Sequence, residues 1–388
     1  MDLSGRRIHI VGSAAPDADE AKLAYVHEIV SELAFQLACA GACFVLPFGK
    51  EPRLTDRDDG PPITFDWTVA ESVFKALESG KALPNGPNGQ LGTTIATSKT
   101  DSQVPADRRK IFDGLRSANA LHMEFLEPGW TAGAYRRQRL AQLGDVLIAF
   151  SGGEGVEHLA VEYSAAGKSV VPLDINVGSS TGDGSGGAAR LFNRALADPD
   201  QFLEVVALHS AGDLLDRTRT RDGTTPPATV VDAIVNLLKA LKPPKVFYVR
   251  LLNKTHPDFP DVESFFRNAV DPFVSCLGYQ PCEIGIGKND YAWMNEAIFD
   301  SLHHSSVALV DLTGLRPNCF MELGYALGKR QRVILTARED TNFPFDSFAL
   351  EAYLWSSSDG DAHRIEKLRT HWGRNIDMPP LVKPREAK

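Results

Sequence analysis

At 388 residues the chain is too long for one ordinary hydrophobic core and predicts two domains. It is 43% hydrophobic and 23% charged, as soluble globular proteins are, and its net charge of −9 argues against broad affinity for nucleic acid or anionic membrane. No apolar run reaches the roughly 18 residues of a membrane span.

The N-terminal stretch turns acidic after one short apolar run, so it reads as a first strand and not a signal peptide, and a cytoplasmic location follows as the expectation. Cys39, Cys43, Cys276, Cys282 and Cys319 show neither CxxC pairing nor zinc spacing and predict buried thiols in a reducing compartment.

In chain order, "RIHIVGSA" predicts a strand and "DEAKLAYVHEIVSELAFQLACAG" an amphipathic helix closed by Gly41. "ACFVLPFG" and "TTIATS" read as strands, with "TVAESVFKALESGKAL" as the helix between them. Two more helices, "PADRRKIFDGLRSA" and "GAYRRQRLAQLG", lead into the strand "DVLIAFSGG". A helix "GVEHLAVEYSAAGK", a strand "SVVPLDI", a glycine-rich loop and a helix stopped by Pro243 and Pro244 complete a first domain, residues 1–243. Residues 244–388 repeat the pattern through the strands "KVFYVRLL", "VALVDLT" and "RVILTA" and their intervening helices. Apolar strands alternating with helices predict an α/β fold of two Rossmann-like domains, each a mainly parallel sheet flanked by helices.

Two strand-turn-helix segments carry chemistry. In "VALVDLTGLRPNCFMELGYALG", Asp311 ends a strand, where open α/β sheets place their ligand crevice, and Pro317 suits a first helical turn. Phe320, Leu323, Gly324 and Leu327 have the spacing of a packing stripe, which predicts that Glu322 lies off it, near the positive end of the helix. On these grounds alone Glu322 is equally a solvated helix-start charge or a functional carboxylate. In "DVLIAFSGGEGVEHLAVEYSAAGK", Gly152, Gly153 and Gly155 permit close approach of an anion to a helix start, and Arg136, Arg137 and Arg139 lie on the preceding helix. A steric turn beside a solvated basic face is the competing reading.

The second segment resembles the nucleoside 2-deoxyribosyltransferase-like family and its TIR-like relatives, through Asp311, Pro317-Asn318, Glu322-Leu323-Gly324 and Pro344-Phe345-Asp346, over roughly residues 245–355. The resemblance implies that Glu322, with Asp311, acts at the anomeric carbon of a nucleoside or of NAD. Asn318, Arg250, Asp346 and Asp290 would then bind substrate. The first domain is similar to the SLOG superfamily, which contains LOG-type phosphoribohydrolases and nucleotide-sensing domains of bacterial defence proteins. Its "VGSA" loop and glycine turn imply a nucleotide-signal site at Gly12, Ser13, Arg136, Arg137, Gly152, Gly153 and Gly155. His158 and Leu159 occupy the register of the LOG glutamate, which puts hydrolysis there in doubt.

Together these imply a nucleotide-activated NAD glycohydrolase of antiphage defence that works as a homo-oligomer, uses NAD as substrate and needs no cofactor or metal. A metabolic nucleoside hydrolase or transferase and a non-catalytic nucleotide sensor are the alternatives. His303 and His304 adjoin each other without ligand spacing, and no P-loop, GxSxG or HExxH motif is present.

Overall fold

The apolar runs pair in parallel within two separate sheets, one in each of the units Met1–Lys242 and Pro243–Lys388 of a computed structural model. The structure describes residues 3–56, 60–82, 90–126, 132–177, 187–284, 291–343 and 351–376, and for 132–134 and 291–295 the backbone alone.

The first unit runs β1 (Arg7–Ser13), α1 (Glu20–Cys39), β2 (Cys43–Val45), α2 (Asp66–Glu78), β3 (Gly92–Ala96), the single turn α3 (Thr100–Gln103), α4 (Arg109–Ser117) and β4 (Leu121–Phe125). It continues through α5 (Ala132–Leu143), β5 (Val146–Ser151), α6 (Glu154–Ala165), β6 (Ser169–Pro172), α7 (Gly187–Ala197), the short α8 (Pro199–Phe202) and α9 (Ala211–Asp216), and α10 (Pro227–Ala240). The sheet order is β4-β3-β2-β1-β5-β6 with every pair parallel. β5 is buried at all its residues, as a central strand covered on both faces must be. α1 packs on α2 and α10, and α2 on α4, while α5, α6 and α7 pack in succession. Strands β1 to β4 wind one way and β5 and β6 the other, so the order reverses between β1 and β5.

Local signals explain the elements. Asp19 caps α1 by accepting from Lys22 N–H at 2.8 Å, and Leu23, Val26, Ile29, Val30, Leu33 and Leu37 bury its inner face. Gly41, at φ +84, ends the helix as expected: Ala42 N–H reaches Leu37 O and Gly41 N–H reaches Ala38 O. α5 is held at its far end by Lys168, whose Nζ donates to the carbonyls of Ala141 (2.7 Å), Gln142 (3.0 Å) and Gly144 (2.7 Å). The edge strand β4 is additional to the sequence-based expectation; in "LHMEF" a histidine and a glutamate interrupt the apolar run, and only Leu121 is fully buried.

The second unit runs β7 (Lys245–Val249), α11 (Phe259–Phe265), α12 (Asp271–Cys276), β8 (Gln280–Cys282), α13 (Tyr291–His303), β9 (Val307–Asp311), α14 (Pro317–Gly328), β10 (Arg332–Arg338), β11 (Ala352–Trp355) and α15 (Asp361–Asn375). Its order is β11-β10-β9-β7-β8, again all parallel, and reverses between β7 and β9. A π-helical turn, Phe266–Val270, joins α11 to α12 just before Pro272, whose ring cannot continue the ordinary ladder.

Three expectations are corrected. α14 packs on β9, β10 and β7 through Cys319, Leu323 and Ala326, while Leu327 is 40% exposed and Gly324 exposed. The small Cys319 and Ala326 side chains let that face approach the sheet, so the helix is rotated from the expected stripe. Glu322 consequently borders the buried face and is itself half-buried. Cys276 faces solvent at the end of α12, whereas Cys43 and Cys319 are buried and Cys39 and Cys282 partly so. No described helix is long and apolar enough to cross a membrane.

Candidate functional site

In the first unit a cavity of about 510 Å³ lies where the strand order reverses, the position at which doubly wound sheets hold ligands. Gly12 and Ser13 enter from the end of β1, Arg137 from α5, and Gly153 and Gly155 from the start of α6, with His9 and Asp66 completing the wall.

The sequence dictates this opening. A Cβ at Gly12 would lie 1.9 Å from Phe150 O, so only glycine lets β1 and β5 run this close. The chain leaves β5 through two left-handed residues, Ser151 (φ +50) and Gly152 (φ +80), and Gly152 N–H donates to Ser13 O at 2.8 Å. The cap residue of α6 is Gly153, and no side chain caps its first turn, though Glu154 of that turn also lines the cavity.

The three arginines of α5 part company. Arg137 lines the cavity with a buried Nε that has no partner among the described residues. Arg136 donates to Phe48 O at 3.0 Å, its buried Nε also has no partner among the described residues, and burial lowers its pKa against the pull of Asp66. Arg139 pairs with Glu124 at 2.7 Å. His158, in the glutamate register, is 48% exposed and 3.8 Å from Glu162. Asp66 lines the cavity, and burial pushes its carboxyl up to about 7 despite the charge of Arg136. Burial, reinforced by Arg136, lowers His9 to about 3, so its imidazole is neutral. Sequence reasoning missed both groups: His9 sits within an apolar strand, and Asp66 reads as an ordinary helix-start acid.

In the second unit the loops after β7 and β9 meet at the other reversal. Gly314, at φ +78, lies so close to His256 that a Cβ there would meet His256 Cε1 at 3.0 Å. Asp311 is fully buried and accepts from Thr313 N–H (3.0 Å), Thr336 Oγ1 (2.7 Å) and Trp355 Nε1 (2.8 Å). Burial raises its pKa against these donors.

Glu322 contrasts with it. Among the described residues it forms no hydrogen bond or ion pair, and burial alone pushes its carboxyl up to about 7. Desolvation at the border of the packed face raises it, opposite to the helix-start field expected from the sequence. Cys319 lies within reach of both carboxylates, which reinforce burial in driving its thiol up to about 12.

Asn318 is exposed in the first turn of α14. Arg250 is gripped by Glu263 (2.6 Å) and Glu283 (2.5 Å) and lies over the Phe266 ring at 4.8 Å. Asp290 and Asp346 lie outside the described residues. Among the described residues, His, Cys, Asp and Glu form no group of three able to hold a metal.

Fold and crevices define a two-unit, Rossmann-like α/β protein with an opening or unpartnered carboxylate near each strand-order reversal. Residues 3–238 match the family model described as ATP nucleosidase Cap17-like, N-terminal, and the chain belongs to that family. Two relatives called ATP nucleosidase Cap17, from Escherichia coli strain KTE188 and from Escherichia coli, are each 23% identical over 339 residues. The match covers 84% of this chain but 65% of the relatives, so the chain spans less than two thirds of their length. Among solved structures, the single-stranded-DNA-binding DNA processing protein A of Helicobacter pylori aligns with TM-score 0.31 and 15% identity, over 55% of this chain and 80% of its own. A likeness of that size carries no functional argument.

Proposed function

We propose that the chain is an N-glycosidase effector in which the second unit breaks the bond between a ribose and a base, under control of a nucleotide held in the first unit. The observation that carries this is Glu322, a half-buried carboxylate on α14 with no partner among the described residues. A group so placed suits oxocarbenium chemistry. As the bond from the anomeric carbon to the base nitrogen breaks, the electron pair leaves with the base, and the carboxylate offsets the positive charge left on the sugar. Water then supplies the oxygen at the anomeric carbon, and its proton is released or taken by the base. Asp311, whose carboxylate is occupied by three protein donors, positions the strand end beneath this step.

The relatives' name makes ATP the first substrate to test, and the resemblance around Glu322 makes NAD the second. The cavity with Arg137 and the glycine turn supports a nucleotide activator in the first unit. The resemblance of both units to defence proteins supports an antiphage role in a homo-oligomer. The chain is to be incubated with ATP or NAD, with and without cyclic and ADP-ribose-type nucleotides, and free adenine and nicotinamide measured. Glu322→Gln should reduce release by about 10²–10⁴-fold. Undiminished release would remove Glu322 from the reaction, and no release under any activator would favour a non-catalytic sensor.

A further inference from the structure

The floor of the first unit's cavity carries a group that packing does not explain. His9 is completely buried in β1 yet lines the cavity. Its Nδ1 lies 3.1 Å from Tyr163 Oη, and the Tyr163 hydroxyl donates to Leu140 O at 3.4 Å. Leu140 O can only accept; with the one phenol hydrogen assigned to it, the Tyr163 oxygen accepts from His9 Nδ1–H. The neutral ring then presents Nε2 as a bare lone pair. Among the described residues this buried nitrogen has no partner. An unmatched buried acceptor costs free energy, which a bound donor would recover.

Asp66 supports the same conclusion. It lines the cavity and, among the described residues, makes no hydrogen bond or ion pair, with Arg136 acting on it only at longer range. One wall thus offers Arg137 and the start of α6, with Glu154 at its edge, to an anion, and another offers groups that match N–H and O–H functions.

We propose that His9 Nε2 is a ligand-reading atom of this cavity, accepting a hydrogen bond from an N–H or O–H of a nucleotide whose phosphate lies toward Arg137 and the Gly152–Gly155 turn. The proposal rests on the reading of the cavity as a nucleotide site and adds which atom recognises the nucleoside part. The exocyclic amino group of the base and a ribose hydroxyl share the required chemistry.

The test uses the full chain labelled with [15N]histidine. In the free protein His9 should show the Nδ1–H tautomer, and its Nε2 resonance should move upfield on saturation with AMP, ADP-ribose or ATP. Purine riboside monophosphate lacks the amino group and 2′-deoxy-AMP the hydroxyl; the analogue that abolishes the shift names the donor. His9→Asn keeps a donor for Tyr163 but removes Nε2, and should weaken binding about tenfold in variant protein whose folded state is checked by its amide spectrum. A free-state Nε2–H tautomer, or nucleotide binding that leaves Nε2 unmoved, overturns the proposal and spares the nucleotide site. Calorimetry showing that none of the three nucleotides binds overturns the nucleotide-site reading itself.

Discussion

Trp355 Nε1 donates to Asp311 Oδ2 at 2.8 Å, joining the edge strand β11 to the carboxyl end of β9 across β10. Thr336 of β10 donates to the same oxygen at 2.7 Å, so one carboxylate ties three strands together. The Trp355 ring also stacks on Phe265 at 4.5 Å. Trp355→Phe keeps the stack and removes the donor, and should cost about 1–2 kcal/mol. Asp311→Ala leaves several buried donors unmatched and should cost about 3 kcal/mol or more. Urea denaturation followed by fluorescence of the remaining tryptophans checks both; equal stability of Asp311→Ala would mean the network contributes nothing.

The role proposed for Glu322 implies a pH dependence. With its carboxyl at about 7 in the free protein and the ionised form stabilising the sugar cation, kcat/KM should rise as pH increases through about 7 and then level. In Glu322→Gln the residual rate should lack that limb. A wild-type profile flat from pH 5 to 9 would contradict the assignment.

Asp66 should leave a signature of opposite sign in stability. Its folded pKa of about 7 lies above the ordinary carboxyl value of 3.8, so the folded state holds the proton more tightly than the unfolded chain. This contribution is fully present below about 4 and is lost as pH rises through about 7. Asp66→Asn should remove the fall in melting temperature across that window. A variant that melts with the wild-type pH dependence would place the titration elsewhere.

The orientation of α14 is tested by two leucines four residues apart. Leu323 is buried and Leu327 is 40% exposed, so Leu323→Ala should cost about 2–4 kcal/mol and Leu327→Ala about 0.5 kcal/mol or less. Equal costs would restore the stripe expected from spacing.

Gly12 gives a sharper steric test. Gly12→Ala would place a methyl 1.9 Å from Phe150 O and should cost about 3 kcal/mol, with loss of nucleotide binding. Gly155→Ala meets nothing within 4 Å and should retain the fold.

The parallel α/β architecture was legible because β5 and β9 are apolar up to their last residues and helices such as α1 and α10 end at glycine or proline stops. What escaped were elements whose burial is not apolar. α15 is predominantly polar, and it packs through Arg364, whose guanidinium donates to Ser356 O and Ser357 O, alongside Leu368 and Trp372. The glycine turn was visible as a motif because its residues adjoin in sequence. The groups that face it from elsewhere, His9 and Asp66, come together only through the winding of the sheet. For α14, spacing specified an amphipathic helix but not which of two neighbouring faces the sheet would take, and that choice moved Glu322 from solvent to the border of the core.

Lys168 gives one more consequence. Its ammonium holds three carbonyls at the carboxyl end of α5, while Arg137, which lines the cavity, lies further back on the same helix. The helix that carries Arg137 to the cavity is therefore anchored at its tail by a residue that lines no part of that cavity. Removing that one positive charge, by acetylation or by Lys168→Met, would free α5 to slide or fray at its tail. The cavity's arginine would then ride on a helix held only at its packed face.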